Sequence, residues 1–213
     1  MKIYQKPENV RTLIFDIDST LYTNPAYAFE QVDVQIRHFA SLQGLSPDTA
    51  RAEINAYRKS WSLEHAGRKI SLGNTMKAFG IPIEESIRWR ETLLDPDKYL
   101  KKDTKLAETL SVLEKRYALI CVTNNPVLPA RKTLEALGVE HLIPRIIGLD
   151  TCNVSKPARE PFLLAAASTD CRPQQCISIG DRYDIDIALP LELGMGGILV
   201  TGVTEVYMLP GLL

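Results

Sequence analysis

Leu13-Ile14-Phe15-Asp16-Ile17-Asp18-Ser19-Thr20-Leu21-Tyr22 is the stretch of this chain from which its fold is read. Leu13-Ile14-Phe15 suits a strand buried on both faces of a parallel sheet. Two carboxylates, two positions apart, follow at its end. Like charges that close repel each other, and they need a cation or a proton to coexist. Oxygen ligands favour a hard ion such as Mg²⁺. The plain structural alternative is that strand-end aspartates cap the next turn.

Further short apolar runs lie at Ala118 to Val122, Cys176 to Ile179 and Gly197 to Val200. Helical patterns separate them. Leu106, Leu110 and Leu113 follow Asp103, a residue suited to an N-cap. Pro126 to Leu137 ends at Gly138, and Pro161 to Ser168 is rich in Leu and Ala. Strand alternating with helix predicts an α/β fold, an open parallel sheet with ligands at the carboxyl ends of its strands. From about Leu21 to Leu100 no strand-like run occurs. Phe29, Val32, Ile36 and Phe39 recur at helical spacing. Ser46-Pro47-Asp48 opens a second helix with Ile54, Tyr57 and Trp61 on one face, and Ile83, Ile87 and Leu94 mark another. The expected organisation is a core from residues 1–20 and 101–213, with residues 21–100 inserted as an all-helical domain.

The 213 residues carry 25 Lys+Arg against 26 Asp+Glu, a formal net charge of -1. That balance offers no bulk attraction to a nucleic-acid polymer or an anionic membrane. With 45% hydrophobic and 24% charged residues the composition is globular, which excludes disordered and fibrous classes. No run approaches the roughly 20 apolar residues of a membrane span. MKIYQKPENVR has no apolar stretch of the kind a secretory signal needs. Four cysteines without a CxxC pair and three histidines speak against structural zinc. These features predict a cytoplasmic monomer or homodimer with no membrane and no nucleic acid among its partners.

The other strand ends add chemistry to the acid pair. Thr123-Asn124-Asn125 supplies a hydroxyl and amides at a helix entry, suited to phosphate oxygens, although Thr123 alone also reads as a cap. Lys156, before Pro157, offers a fixed positive charge, where a lone lysine is ordinarily solvated. Gly180-Asp181-Arg182-Tyr183-Asp184-Ile185-Asp186 is a second acidic cluster, whose acids also suit a helix dipole. Taken in this order, the acid pair, hydroxyl, lysine and acid cluster make a metal-assisted phosphoryl-transfer site.

In these motifs the sequence resembles the haloacid dehalogenase-like hydrolase superfamily. The likeness rests on DIDSTLY at Asp16–Tyr22, VTNN at Val122–Asn125, SKPAREPF at Ser155–Phe162 and GDRYDID at Gly180–Asp186. Asp16 and Thr123 are 107 positions apart, whereas Thr123 and Lys156 are only 33 apart. That is similar to the subfamily with a helical cap between its first two motifs. The resemblance implies a Rossmann-like core, Mg²⁺ and an aspartyl-phosphate intermediate. It casts Asp16 as nucleophile and Asp18 as general acid/base, with Thr123, Asn124 and Lys156 around the phosphoryl group. It gives the metal to Asp16, Asp18 (through its backbone carbonyl), Asp181 and Asp186. Asp186, five positions after Asp181, fits the family's last acid better than Asp184. Pro190 predicts a kink or late start in the helix that follows, and Arg159 stands where the family often has Pro.

Family members that act as dehalogenases lack an acid at the position of Asp18, so its presence favours phosphate chemistry. DxDxTLY, with Tyr57-Arg58-Lys59 and Gly67-Arg68, is similar to pyrimidine 5′-nucleotidases. On that likeness Trp61 and Tyr57 would stack on a base and Arg68 and Lys69 would meet a substrate anion. Core packing and a solvated charged face are the structural alternatives. The expected function is Mg²⁺-dependent hydrolysis of small phosphomonoesters, nucleoside monophosphates among them, with a small phosphorylated metabolite as partner. A phosphotransferase of the sugar-phosphate mutase type and an inactive binding protein that keeps the fold remain as alternatives.

Overall fold

A computed structural model describes residues 1–213. The chain divides into two compact units, Met1–Pro25 with Pro96–Leu213, and Ala26–Asp95. The larger unit is α/β. Its sheet comprises β1 (Lys2–Gln5), β2 (Thr12–Phe15), β3 (Ala118–Val122), β4 (Arg145–Ile147), β5 (Cys176–Gly180) and β6 (Gly196–Leu199), in the spatial order β1-β6-β5-β2-β3-β4. Neighbours run parallel except β1, which is antiparallel to β6.

All four residues of β2 are buried, as a central strand covered on both faces requires. Ile14, Ile120, Val122 and Cys176 pack against Phe162, Ala165 and Ala166 of the helix Arg159–Ala167. Local signals fix the helices. The Asp103 side chain accepts from the Leu106 N–H at 2.9 Å to open Thr104–Glu114. Gly138, at φ 74°, closes Val127–Leu137 in the left-handed conformation that glycine tolerates.

The register positions the site. Phe15 lies opposite Cys121 on β3 and Ile179 on β5. The residues that follow those three strands therefore emerge together at one edge of the sheet. The two outer strands were not expected from the sequence. Lys2–Gln5 is mostly exposed and lacks an apolar run, and Arg145–Ile147 has only three residues.

The smaller unit contains the helices Pro47–Glu64, Leu72–Ala78 and Ile83–Leu93 and nearly all of Pro25–Gln43. Its core joins Ile36, Phe39 and Ala40 to Ala50, Ile54, Leu72, Met76 and Trp89. The expected stripe on the first helix is only half buried, since Phe29 is 61% and Val32 37% exposed. Phe29 shares a face with Ile36 but lies seven residues, about 10 Å, further along the axis. The chain passes from one unit to the other after Pro25 and again after Asp95. Thr23 Oγ1 accepts from the Val203 N–H at 3.1 Å, and Asn24 Nδ2 donates to the Tyr99 carbonyl at 2.7 Å. Those bonds tie both connecting segments to the sheet unit. No helix is long and apolar enough to cross a membrane.

Candidate active site

Two ladder bonds carry the sheet's order into the site. The Asp16 N–H donates to the Ile179 carbonyl at 2.8 Å, and the Thr123 N–H to that of Ile147 at 3.0 Å. After Asp18 the chain turns sharply through Ser19, at φ 59°, a conformation that costs a non-glycine residue about 1 kcal/mol. The Ile17 carbonyl closes this turn by accepting from Thr20 and Leu21. Tyr22 is thereby brought back so that its hydroxyl donates to Asp18 Oδ1 at 2.6 Å.

Gly180 has a different purpose. A Cβ there would lie 2.4 Å from the Cβ of Asp186, so only glycine lets that acid fold back against the strand end. Asp186 is carried by a single π turn over Tyr183–Ile187, and the α-helix begins only at Ala188. Pro190 consequently falls in a first turn, where a missing N–H breaks no intrahelical bond. The late start expected from Pro190 is found.

Lys156 is the centre of the charge network. Its Nζ donates to Asp16 Oδ1 at 2.7 Å and to Asp186 Oδ1 at 2.6 Å, and all three side chains are buried. Asn124 fixes the lysine's backbone from both sides, accepting from its N–H at 2.6 Å and donating to its carbonyl at 3.2 Å. Asn125 Nδ2 donates to Asp18 Oδ2 at 2.8 Å, and the Asn125 N–H donates to Thr123 Oγ1 at 3.1 Å. Asp186 Oδ2 accepts from the Arg182 N–H at 3.1 Å, and Ser178 Oγ donates to the Asp186 carbonyl at 2.6 Å.

Carboxylate oxygens of Asp16, Asp181 and Asp186 lie within 4.8 Å of one another. Three carboxylates face the buried Lys156 ammonium and a half-exposed guanidinium, Arg182 Nε lying 3.7 Å from Asp181 Oδ1, so negative charge exceeds positive in a largely buried place. Burial, offset in part by Lys156 and reinforced by Asp186 and Asp18, pushes the Asp16 carboxyl from 3.8 up to about 7. Burial and then the Asp186 charge raise Asp181 as well. Burial opposes the charge on Lys156, yet Asp16 and Asp186 hold its ammonium above the ordinary range. Asp16 Oδ2 and Asp181 Oδ1 are buried without a hydrogen-bond partner. Two buried carboxylate oxygens without a hydrogen-bond donor, in an all-oxygen donor set with an excess of negative charge, fit a hard divalent cation.

The structure brings Asp16, Lys156, Asp181 and Asp186 together, with Asn124 holding the lysine and Asn125 linking Thr123 to Asp18. The Asp18 carboxylate is not part of the three-acid cluster, and Asp184 is exposed. Asn124, expected at the phosphoryl group, uses both ends of its amide on the Lys156 backbone. Trp61 and Arg68 belong to the helical unit. There Trp61 stacks on His65 with ring centroids 3.8 Å apart, and exposed Arg68 donates through Nε to the His65 carbonyl at 3.3 Å. Tyr57 meets Phe79 edge-on at 5.6 Å. Sequence reading missed the partners of Asp18; the only cue was a tyrosine four positions after it. Cys121 ends no reaction path, because burial pushes its thiol far above the ordinary range.

A family model described as haloacid dehalogenase-like hydrolase matches residues 10–193. A phosphoglycolate phosphatase from Shigella boydii is 28% identical over 201 residues, covering 86% of this chain and 79% of that protein. A glyceraldehyde 3-phosphate phosphatase from Methanopyrus kandleri is 26% identical over 193 residues, covering 87% and 82%. Among solved structures, a HAD phosphatase from Thermococcus onnurineus has a TM-score of 0.61 at 22% identity, covering 90% of this chain and 86% of that one. The family match runs through every motif from Asp16 to Asp186 and over most of the sequence, and the chain belongs to the haloacid dehalogenase-like hydrolases.

Proposed function

We propose that this chain is a Mg²⁺-dependent phosphomonoester hydrolase that works through an aspartyl-phosphate on Asp16. The observation that carries this reading is the Asp16 carboxylate, with Oδ1 held by Lys156 and Oδ2 buried without a partner. Of the two oxygens of a carboxylate so placed, one would serve the cation and the other attack phosphorus. Asp16 attacks phosphorus while Asp18 gives a proton to the leaving oxygen. Asp18 then takes a proton from the water that opens the acyl phosphate. Such proton transfers are typically worth 10²–10⁴-fold. Lys156 and the Thr123 hydroxyl hold the phosphoryl oxygens and offset the repulsion between the phosphate and its anionic nucleophile. Asp16, Asp181 and Asp186 would hold Mg²⁺, which when bound supplies the missing positive charge beside the phosphoryl group. Four free cysteines suit a reducing cytoplasm.

The relatives named above direct the choice of substrates. A panel begins with phosphoglycolate and glyceraldehyde 3-phosphate and adds nucleoside monophosphates, in keeping with the DxDxTLY likeness. Phosphate release from at least one of these is expected, lost in chelator and restored by Mg²⁺. Undiminished release in chelator would reject the metal. A phosphate that changes position on one molecule without release would replace hydrolysis by phosphotransfer.

The metal assignment has a second readout that is independent of turnover. Asp16 keeps its proton up to about 7 in the folded chain but titrates near 3.8 when unfolded. The folded state therefore binds more protons through that window, and its stability falls as pH rises from about 4 to about 7. Raised Asp181 acts with the same sign. Metal-free protein should melt at a lower temperature at about pH 8 than at about pH 5, and Mg²⁺ should recover the loss at the higher pH. A melting temperature insensitive to Mg²⁺ at pH 8 would count against the site.

A further inference from the structure

We propose that Tyr22 and Asn125 are positioning residues for Asp18, holding its carboxylate in the one orientation from which it exchanges a proton with the leaving oxygen. The inference rests on the acid/base reading of Asp18 given above. Each carboxylate oxygen has its own donor: Tyr22 Oη on Oδ1 at 2.6 Å and Asn125 Nδ2 on Oδ2 at 2.8 Å. The terminal torsion of an aspartate is broad and nearly two-fold, so an unrestrained carboxylate samples many orientations. One donor on each oxygen removes that freedom.

The two donors reach Asp18 from different elements. Tyr22 is buried and follows the Ser19 turn after β2, whereas Asn125 follows β3. Asn125 is itself anchored through its backbone, its N–H donating to Thr123 Oγ1 and its carbonyl accepting from the Leu149 N–H at 2.9 Å. The clamp is therefore built on two adjacent central strands and needs no substrate to form. Displacing a reacting group by about 1 Å costs on the order of 10²-fold, so a clamp of this kind matters to rate without touching the reacting atoms. Asn124, next in the same turn, directs both ends of its amide to the Lys156 backbone instead, which supplies a contrast.

The test separates leaving groups. A nitrophenolate departs without a proton, whereas an alkoxide needs one from Asp18. Phosphoenzyme formation is followed by rapid quench in the Mg²⁺-loaded protein, with a nitrophenyl phosphate and an alkyl phosphate. Wild type is compared with Asp18→Asn, Tyr22→Phe, Asn125→Ala, the double variant of the last two, and Asn124→Ala. Tyr22→Phe and Asn125→Ala should each slow the alkyl ester about tenfold, and the double variant should approach Asp18→Asn. With the nitrophenyl ester all three should stay within about threefold of wild type. Asn124→Ala should slow both esters alike, because Lys156 meets the phosphoryl group and not the leaving oxygen.

Equal losses on both esters in Tyr22→Phe and Asn125→Ala, or no loss on the alkyl ester, overturn the clamp if Asp18→Asn still discriminates between them. If Asp18→Asn does not discriminate, the acid/base reading falls and the clamp with it. Should Asn125→Ala fail to fold, Tyr22→Phe, which removes a single oxygen, decides the matter.

Discussion

Replacing Asp16 with Asn should lower phosphate release by on the order of 10⁴-fold or more, because the attacking oxygen becomes a neutral amide. The fold should not suffer. Asn keeps the shape of the side chain and removes one of the two carboxylates that share the Lys156 ammonium, with Asp181 beside them. The pocket's imbalance drops by one charge, so the metal-free variant should lose less stability than wild type between about pH 5 and about pH 8. Asp18→Asn should behave differently. It keeps the nucleophile and loses proton transfer, so phosphoenzyme accumulates on an activated ester and clears slowly. Because the two groups act as a unit, the double variant should be no worse than Asp16→Asn. The measurements are phosphate release from protein freed of contaminating phosphatase, intact mass for the phosphoenzyme, and thermal melts at both pH values. Wild-type turnover in Asp16→Asn would reject the covalent route.

What the sequence made legible were features that depend on neighbours in the chain. Leu13-Ile14-Phe15 followed by two acids, Asp103 ahead of Leu106, and Gly138 after Leu137 each carry their own physical signal within a few residues. The last acid of the final motif was instead chosen on the family resemblance, Asp186 lying five positions after Asp181; that Gly180 leaves it room to fold back is seen only in the structure. Pro190 announced a late helix through its missing N–H.

What escaped depends on which residues meet across the fold. Asn124 and Lys156 are 32 positions apart, and Asn125 and Asp18 are 107 apart. No local pattern says which of two adjacent asparagines turns to the lysine and which to the acid. The register of β2 against β3 and β5 decides it. Phe29 misled for a related reason: helical periodicity gives the face of a residue but not how far along the axis its packing partners extend. Leu72–Ala78, at seven residues, was too short for periodicity to reveal. β1 lies at an edge, where a strand needs no apolar alternation to persist.

Lys156→Met tests how far a single cation holds the site together. Methionine keeps an unbranched side chain of similar length in a buried place and removes the ammonium that bonds Asp16 and Asp186. Deleting one partner of a buried ion pair typically costs about 3–5 kcal/mol, because the other charge is left uncompensated. Here two carboxylates lose their counter-ion at once, with Asp181 beside them. Without the ammonium, protonation is their main relief, which raises their folded-state pKa further. The sign follows: the folded variant takes up protons that the unfolded chain releases, so the destabilisation grows as pH rises. Urea melts of the metal-free variant should show a small loss at about pH 5 and a loss of several kcal/mol at about pH 8, partly recovered by Mg²⁺. Turnover should fall on the order of 10³-fold even with Mg²⁺ present, since the phosphoryl oxygens lose a fixed positive charge. That fall should be similar for good and poor leaving groups, unlike the losses expected at Tyr22 and Asn125. A variant as stable as wild type at pH 8 without metal would show that Asp16 and Asp186 do not depend on Lys156, and the charge count that leads to a divalent cation would fail with it.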